Sequence, residues 1–151
     1  MFNVVLFEPE IPPNTGNIMR LCTNTGAKLH LIHPLGFKIK AKELRRAGLD
    51  YIDWSTVCHY KNFDDYIDKN GFKSLYAIST KGKKYYSDCI FKKNDSFLFG
   101  PETRGLPKKI LDKFKPNRIL KIPMMKASRS LNLSNAASII IYESWRQKKF
   151  E

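Results

Sequence analysis

The chain has 151 residues, 27 of them lysine or arginine and 14 aspartate or glutamate, for a formal net charge of +13. That length suits one domain over residues 1–151, and the charge makes a polyanion such as RNA or DNA the natural partner. No run approaches the ~20 apolar residues of a membrane span, and "MFNVVLFEPEIPPNTG" lacks a basic leader and a cleavage site, so a cytoplasmic protein is expected.

"FNVVLFEP" reads as a buried opening strand. "PPNTGNIMRLCTNTGA" follows as a helix, with Asn14 as candidate N-cap and Gly26 as its stop. "KLHLIHP" is a second strand, "FKIKAKELRRAGLDYIDWST" an irregular to helical basic segment, "FDDYIDKN" a short helix and "SLYAIST" a third strand. A basic connector, "KGKKYYSDCIFKKND", leads to the apolar strand "SFLFG". "LPKKILDKF" is a helix with Pro107 in its first turn and a stripe of Leu106, Ile110, Leu111 and Phe114; "NRILKIPM" is the next strand. The last long helix is "NLSNAASIIIYESWRQKK", apolar nearly all round, as suits a core or a subunit interface. Alternating elements with aliphatic strands predict an α/β fold around a mostly parallel sheet flanked by helices.

Cys22, Cys58 and Cys89 are odd in number and form no C-x-x-C, so buried thiols are expected rather than disulfides or a thiolate metal site. His30 and His33 are three apart in a strand, and His59 stands alone; no metal is predicted.

Three polar clusters remain. Asn17, Arg20 and Asn24 share one stripe of the first helix, either a solvated face or one wall of a site. "FLFGPETRGLP" stops an apolar strand at Gly100-Pro101, where open α/β sheets bind ligands; a tight turn with a surface ion pair is the plainer reading. "KIPMMKASRSLNLSNAAS" carries Ser128, Ser130, Asn132 and Ser134 ahead of the last helix, more capping groups than one helix needs. The glycine-rich nucleotide loops and the G-x-S-x-G elbow are missing from the sequence.

"EPEIPPNTGNIMRLC", "FGPETRGLP" and "IPM…SRSLNLSNAASIIIYE", in that order, resemble the three motifs of the SPOUT class of RNA methyltransferases. The similarity is greatest to its minimal single-domain branch, the tRNA wobble-position ribose 2′-O-methyltransferases, which "RRAGLDY" at Arg45 to Tyr51 also resembles. The resemblance implies a deep C-terminal trefoil knot, a homodimer with a shared active site, and S-adenosylmethionine as cofactor with S-adenosylhomocysteine as product. Carried over by position, the cofactor contacts are Ile78, Gly100, Ile122, Ser130 and Leu131, and the catalytic arginine is Arg20. Asn17, Glu102, Arg129 and Tyr142 would support the site or its substrate, and Arg45 and Arg46, following Lys38, Lys40 and Lys42, would meet tRNA. Lys83 and Lys84 beside Tyr85 and Tyr86 are either a stacking surface for an unpaired base or a solubilising face. "MMKAS" at Met124 to Ser128 departs from the branch, which commonly has a proline and an acidic residue there. The implied substrate is the wobble pyrimidine of tRNA, with leucine tRNAs foremost. The alternatives are another RNA, such as ribosomal RNA, and a non-catalytic RNA-binding module of the same fold.

Overall fold

The computed structural model of the chain describes residues 1–40, 42, 45, 50 and 53–151. Its strands are β1 (Asn3–Phe7), β2 (Lys28–Ile32), β3 (Cys58–Tyr60), β4 (Leu75–Ile78), β5 (Lys84–Tyr85), β6 (Ser96–Phe99) and β7 (Ile119–Lys121). They form one sheet of order β3-β2-β1-β6-β4-β7-β5, with parallel pairing between every pair of neighbours. The chain starts mid-sheet, runs out to β3, and crosses over to lay down β4 and then β5. It then inserts β6 between β1 and β4, and β7 between β4 and β5.

The helices whose bounds lie within the described residues include α1 (Pro12–Thr25), α2 (Phe63–Asn70), α3 (Lys108–Leu111) and α4 (Leu133–Arg146). Both faces of the sheet are covered, so β1 is apolar throughout rather than alternating. Val4 and Leu6 pack with Ile18 of α1 and Ile140 of α4, whereas Val5 and Phe7 pack with Phe63 of α2 and Ile110 of α3. Each such aliphatic or aromatic side chain, fully buried, contributes roughly 1.5–3 kcal/mol.

Several sequence expectations need correction. β3 falls in residues 57–62, to which the sequence assigned no element, and β5 in the basic connector, because strands of three and two residues at the sheet edges are too short to show a period. Only Lys108–Leu111 is α-helical in the segment around Pro107, although Leu106, Ile110, Leu111 and Phe114 are all buried. Asn14 is not the N-cap: α1 starts at Pro12, its cap position is Ile11, and no side chain of that residue caps it. Gly26, at φ 69°, does end the helix. Tyr142 of α4 is 46% exposed, so of the two readings of that helix's apolar surface, core or subunit interface, the core of this chain does not account for all of it. Cys58 is half-buried rather than buried, while burial pushes the Cys22 thiol up to about 12. His59 does not stand alone, for its Nδ1 lies 2.9 Å from His33 Nε2. Among the described residues no helix is long and apolar enough to cross a membrane.

His30, on β2, supplies a pH dependence. Its Nδ1 lies 2.8 Å from Tyr60 Oη inside a cluster of Tyr60 and Tyr66 rings. Burial, with Lys28 nearby, pushes its pKa from 6.5 down to about 4. Above pH 6.5 the ring is neutral folded or unfolded; between 6.5 and about 4 only the unfolded chain takes up the proton, so stability falls as pH falls through that window. We expect the wild type to lose about 2–3 kcal/mol more than His30→Gln between pH 7 and pH 4 in urea unfolding. Equal losses in the two proteins would refute this assignment.

Candidate functional site

The carboxyl ends of β4, β6 and β7 open on a cavity of about 230 Å³. Ile78 closes β4, Gly100 follows β6, Ile122 follows β7, and Ser130 and Leu131 arrive on the loop before α4; all five line the cavity. Open parallel sheets bind ligands at this end because the loops there are free to vary while the strands hold their bases in place. Ile78, Ile122, Leu131, Leu133 and Ala136 give the cavity aliphatic walls, and Ser79, Thr80, Thr103 and Ser130 bring hydroxyls to it.

Gly100 is there because nothing larger fits. A Cβ at that position would stand 2.2 Å from Leu106 N and 2.3 Å from Gly105 C, both backbone atoms that cannot rotate aside. The loop that doubles back over Gly100 is closed by a bond from Gly105 N–H to Pro101 O, 2.8 Å, with Gly105 at φ +66°.

Glu102, on the same loop, accepts from Glu10 N–H at 2.7 Å, Ile11 N–H at 3.0 Å and Asn14 Nδ2 at 3.3 Å. It thus places a carboxylate at the positive end of α1 and takes over the capping that the helix lacks locally. Asn14, only 7% exposed, accepts in turn from Asn132 Nδ2 at 3.0 Å. Asn132 caps α4, accepting from Ser134 N–H at 2.9 Å and Asn135 N–H at 3.4 Å. One hydrogen-bonded chain therefore ties together the starts of both long helices and the glycine loop. Thr103 Oγ1 donates to Glu10 at 2.8 Å and adds a second tie. The Arg104 contacts with Glu8 and Glu10, at 3.6 and 3.9 Å on a side chain 61% exposed, add little.

The remaining sequence-nominated residues lie elsewhere. Asn17 and Arg20 are exposed on the outward face of α1, and Arg20 borders a second depression with Asn24, Lys28 and Thr56 rather than the cavity. Arg129 and Arg45 are exposed, Tyr142 leans on Trp145, and Arg46 lies outside the described residues. Tyr85 and Tyr86 part company: Tyr85 is exposed, whereas Tyr86 packs against the core. Reading the sequence missed the Asn14–Asn132 link and the walls at Ser79, Leu133 and Ala136; the paired asparagines in "NTGN" and "LNLSN" were its only visible trace. Among the described residues no group of three His, Cys, Asp or Glu side chains is placed to hold a metal ion.

Residues 1–142 match the model of the SpoU rRNA Methylase family. The chain belongs to that family. A relative from Saccharophagus degradans named tRNA (cytidine(34)-2′-O)-methyltransferase is 55% identical over 150 residues, covering 99% of this chain and 97% of its own. A solved structure concerned with 2-OH methylation of C/U34 on tRNA superposes with TM-score 0.87 at 38% identity, covering 100% of this chain and 98% of that one. A SpoU methyltransferase from Streptomyces viridochromogenes, solved with the cofactor AdoMet, gives TM-score 0.80 at 25% identity and covers 97% of this SpoU-family chain and 57% of its own.

Proposed function

We propose that this protein methylates the ribose 2′-hydroxyl of the wobble pyrimidine, nucleotide 34, of tRNA, using S-adenosylmethionine, with leucine tRNAs as the first substrates to try. The observation that carries the reading is the cavity, where Ile78, Gly100, Ile122, Ser130 and Leu131 meet although they are distant in sequence. Its aliphatic walls and hydroxyl-bearing rim suit a ligand with one flat apolar group and several hydrogen-bonding edges, as adenosine has. When bound, S-adenosylmethionine supplies an already activated methyl group and leaves as S-adenosylhomocysteine, so the protein's task is to orient the hydroxyl and ease loss of its proton.

Arg20 is assigned to that task. A guanidinium has five N–H donors and no acceptor, so it acts by fixing a substrate phosphate and stabilising the developing alkoxide rather than by taking up the proton. Because Arg20 faces away from its own chain's cavity, a complete site needs a second copy, and we assign the protein a homodimer in which α1 of one protomer faces the cavity of its partner. The exposed Tyr142 on α4 belongs to that interface, Arg129 and Asn17 to its rim, and Arg45 to the tRNA surface; for Arg46 the same role rests on the motif resemblance alone. The deep C-terminal trefoil knot is assigned from the motif resemblance; insertion of β7 between β4 and the earlier β5 is compatible with it but does not require it. Access to tRNA places the reaction in the cytoplasm.

The family's description names rRNA, but the relative matched over almost the whole chain is named for tRNA, which favours the tRNA reading. The test is transfer of labelled methyl to total tRNA lacking wobble methylation, followed by nucleoside mass spectrometry. 2′-O-methylcytidine or a 2′-O-methyluridine derivative at position 34 is the expected product. Incorporation into ribosomal RNA alone would replace the substrate, and failure to bind S-adenosylmethionine would leave a non-catalytic module.

A further inference from the structure

At the far edge of the sheet, β5 pairs with β7 alone, setting Tyr85 opposite Lys121. The Lys121 ammonium stands 4.8 Å from the centre of the Tyr85 ring, yet Tyr85 as a residue remains 41% exposed. A cation thus stands against the ring and biases its orientation, and much of the residue meets solvent. Lysines on an edge strand are a common guard against strand-to-strand aggregation, but that purpose does not account for an exposed tyrosine set among them.

The basic turn before Tyr85 is held in place as well. A Cβ on Gly82 would come within 2.8 Å of Ile119 O and 2.9 Å of Leu120 C, so the turn lies directly on β7. This brings Lys81 to the lining of the cavity and leaves Lys83 exposed. Among the described residues, none of Lys81, Lys83, Lys84 and Lys121 takes part in an ion pair. From Lys121 the chain passes directly to Ile122 in the cavity wall, so platform and cavity share one end of one strand.

We propose that Tyr85, steadied by Lys121, is a stacking platform for an unpaired base of the RNA substrate, with the adjoining phosphates on Lys83 and Lys84. The proposal rests on the reading of the chain as an RNA methyltransferase. A flat ring open to solvent beside unpaired cations is the pattern by which proteins hold single-stranded RNA, since every base has a face to stack and every nucleotide a phosphate. An acidic peptide would use the lysines but has no need of the ring.

The experiment measures tRNA binding by fluorescence anisotropy, separately from methyl transfer, for the wild type, Tyr85→Ala, Tyr85→Leu, Tyr85→Phe and a Lys83→Gln, Lys84→Gln double variant. Loss of one base–aromatic stack should weaken binding by about tenfold in the Ala and Leu variants, while Phe stays within about twofold of the wild type. The turnover number at saturating tRNA should hold while KM rises. The lysine variant should lower the slope of log Kd against log salt by about 0.7 for each lost phosphate contact. Wild-type binding by Tyr85→Leu, or equal loss in the Phe and Leu variants, overturns the platform. If binding follows the platform pattern but no methyl reaches tRNA, the methyltransferase reading fails and the platform stands.

Discussion

Arg20→Ala is expected to lower methyl transfer to tRNA by about 10²–10³-fold, the usual consequence of removing one preorganised donor from a developing oxyanion. S-adenosylmethionine affinity should stay within about threefold of the wild type, well under the tenfold that 1.4 kcal/mol would produce, because Arg20 is assigned to the substrate phosphate and the developing alkoxide, whereas the cofactor is assigned to Ile78, Gly100, Ile122, Ser130 and Leu131. Arg20→Lys should recover only part of the rate, since an ammonium carries the charge without the planar fork that meets two oxygens together. Folding should be untouched, for the side chain is exposed on α1 and no ion pair of the described residues includes it. Single-turnover kinetics with calorimetric titration of the cofactor separates the two effects. A rate within a few-fold of the wild type would remove Arg20 from the chemistry. Mixing the variant with a protomer crippled at the cavity tests the shared site: activity regained in the mixed dimer is the expected result, and its absence would argue against one.

Gly100→Ala acts by a different route. The new methyl would overlap the backbone of Gly105 and Leu106, at 2.3 and 2.2 Å, and the only relief is to push that loop outward. The loop is not free to go, since Glu102 is bound to Glu10, Ile11 and Asn14. Overpacking of this kind costs roughly 1–3 kcal/mol. Residues from Gly100 to Leu106 line the cavity, so we expect cofactor affinity to fall by about 10- to 100-fold, together with a lower Tm. Gly105→Ala makes the contrast: no atom lies within 4 Å of its added Cβ, and the expected cost is the roughly 1–2 kcal/mol of a left-handed alanine. Wild-type cofactor affinity in Gly100→Ala would show that the loop tolerates displacement and that the cavity is not where the cofactor binds.

Much of the architecture could be read along the chain. The aliphatic runs of β1, β2, β4 and β6, the stop at Gly26 and the eight residues of α2 are local matters of propensity, capping and burial pattern, and they stand where the sequence puts them. The five residues nominated for the cofactor were found through motif resemblance, and they do share one cavity. Asn14 was misread because its capping chemistry is real but spent elsewhere: two prolines start α1 ahead of it, and its side chain turns inward to Asn132. The edge strands β3 and β5 escaped because pairing with a neighbour, not their own composition, makes them strands.

By itself, then, the sequence determined a basic, parallel α/β chain with three polar loops at strand ends. The tertiary structure alone decided how those loops meet. Glu102 reaches backbone groups 92 and 91 positions away, and Asn132 reaches Asn14 across 118. Such contacts depend on β6 and β7 being inserted between strands made earlier, an order that no local pattern encodes because it follows from which faces and edges remain to be covered when the chain returns.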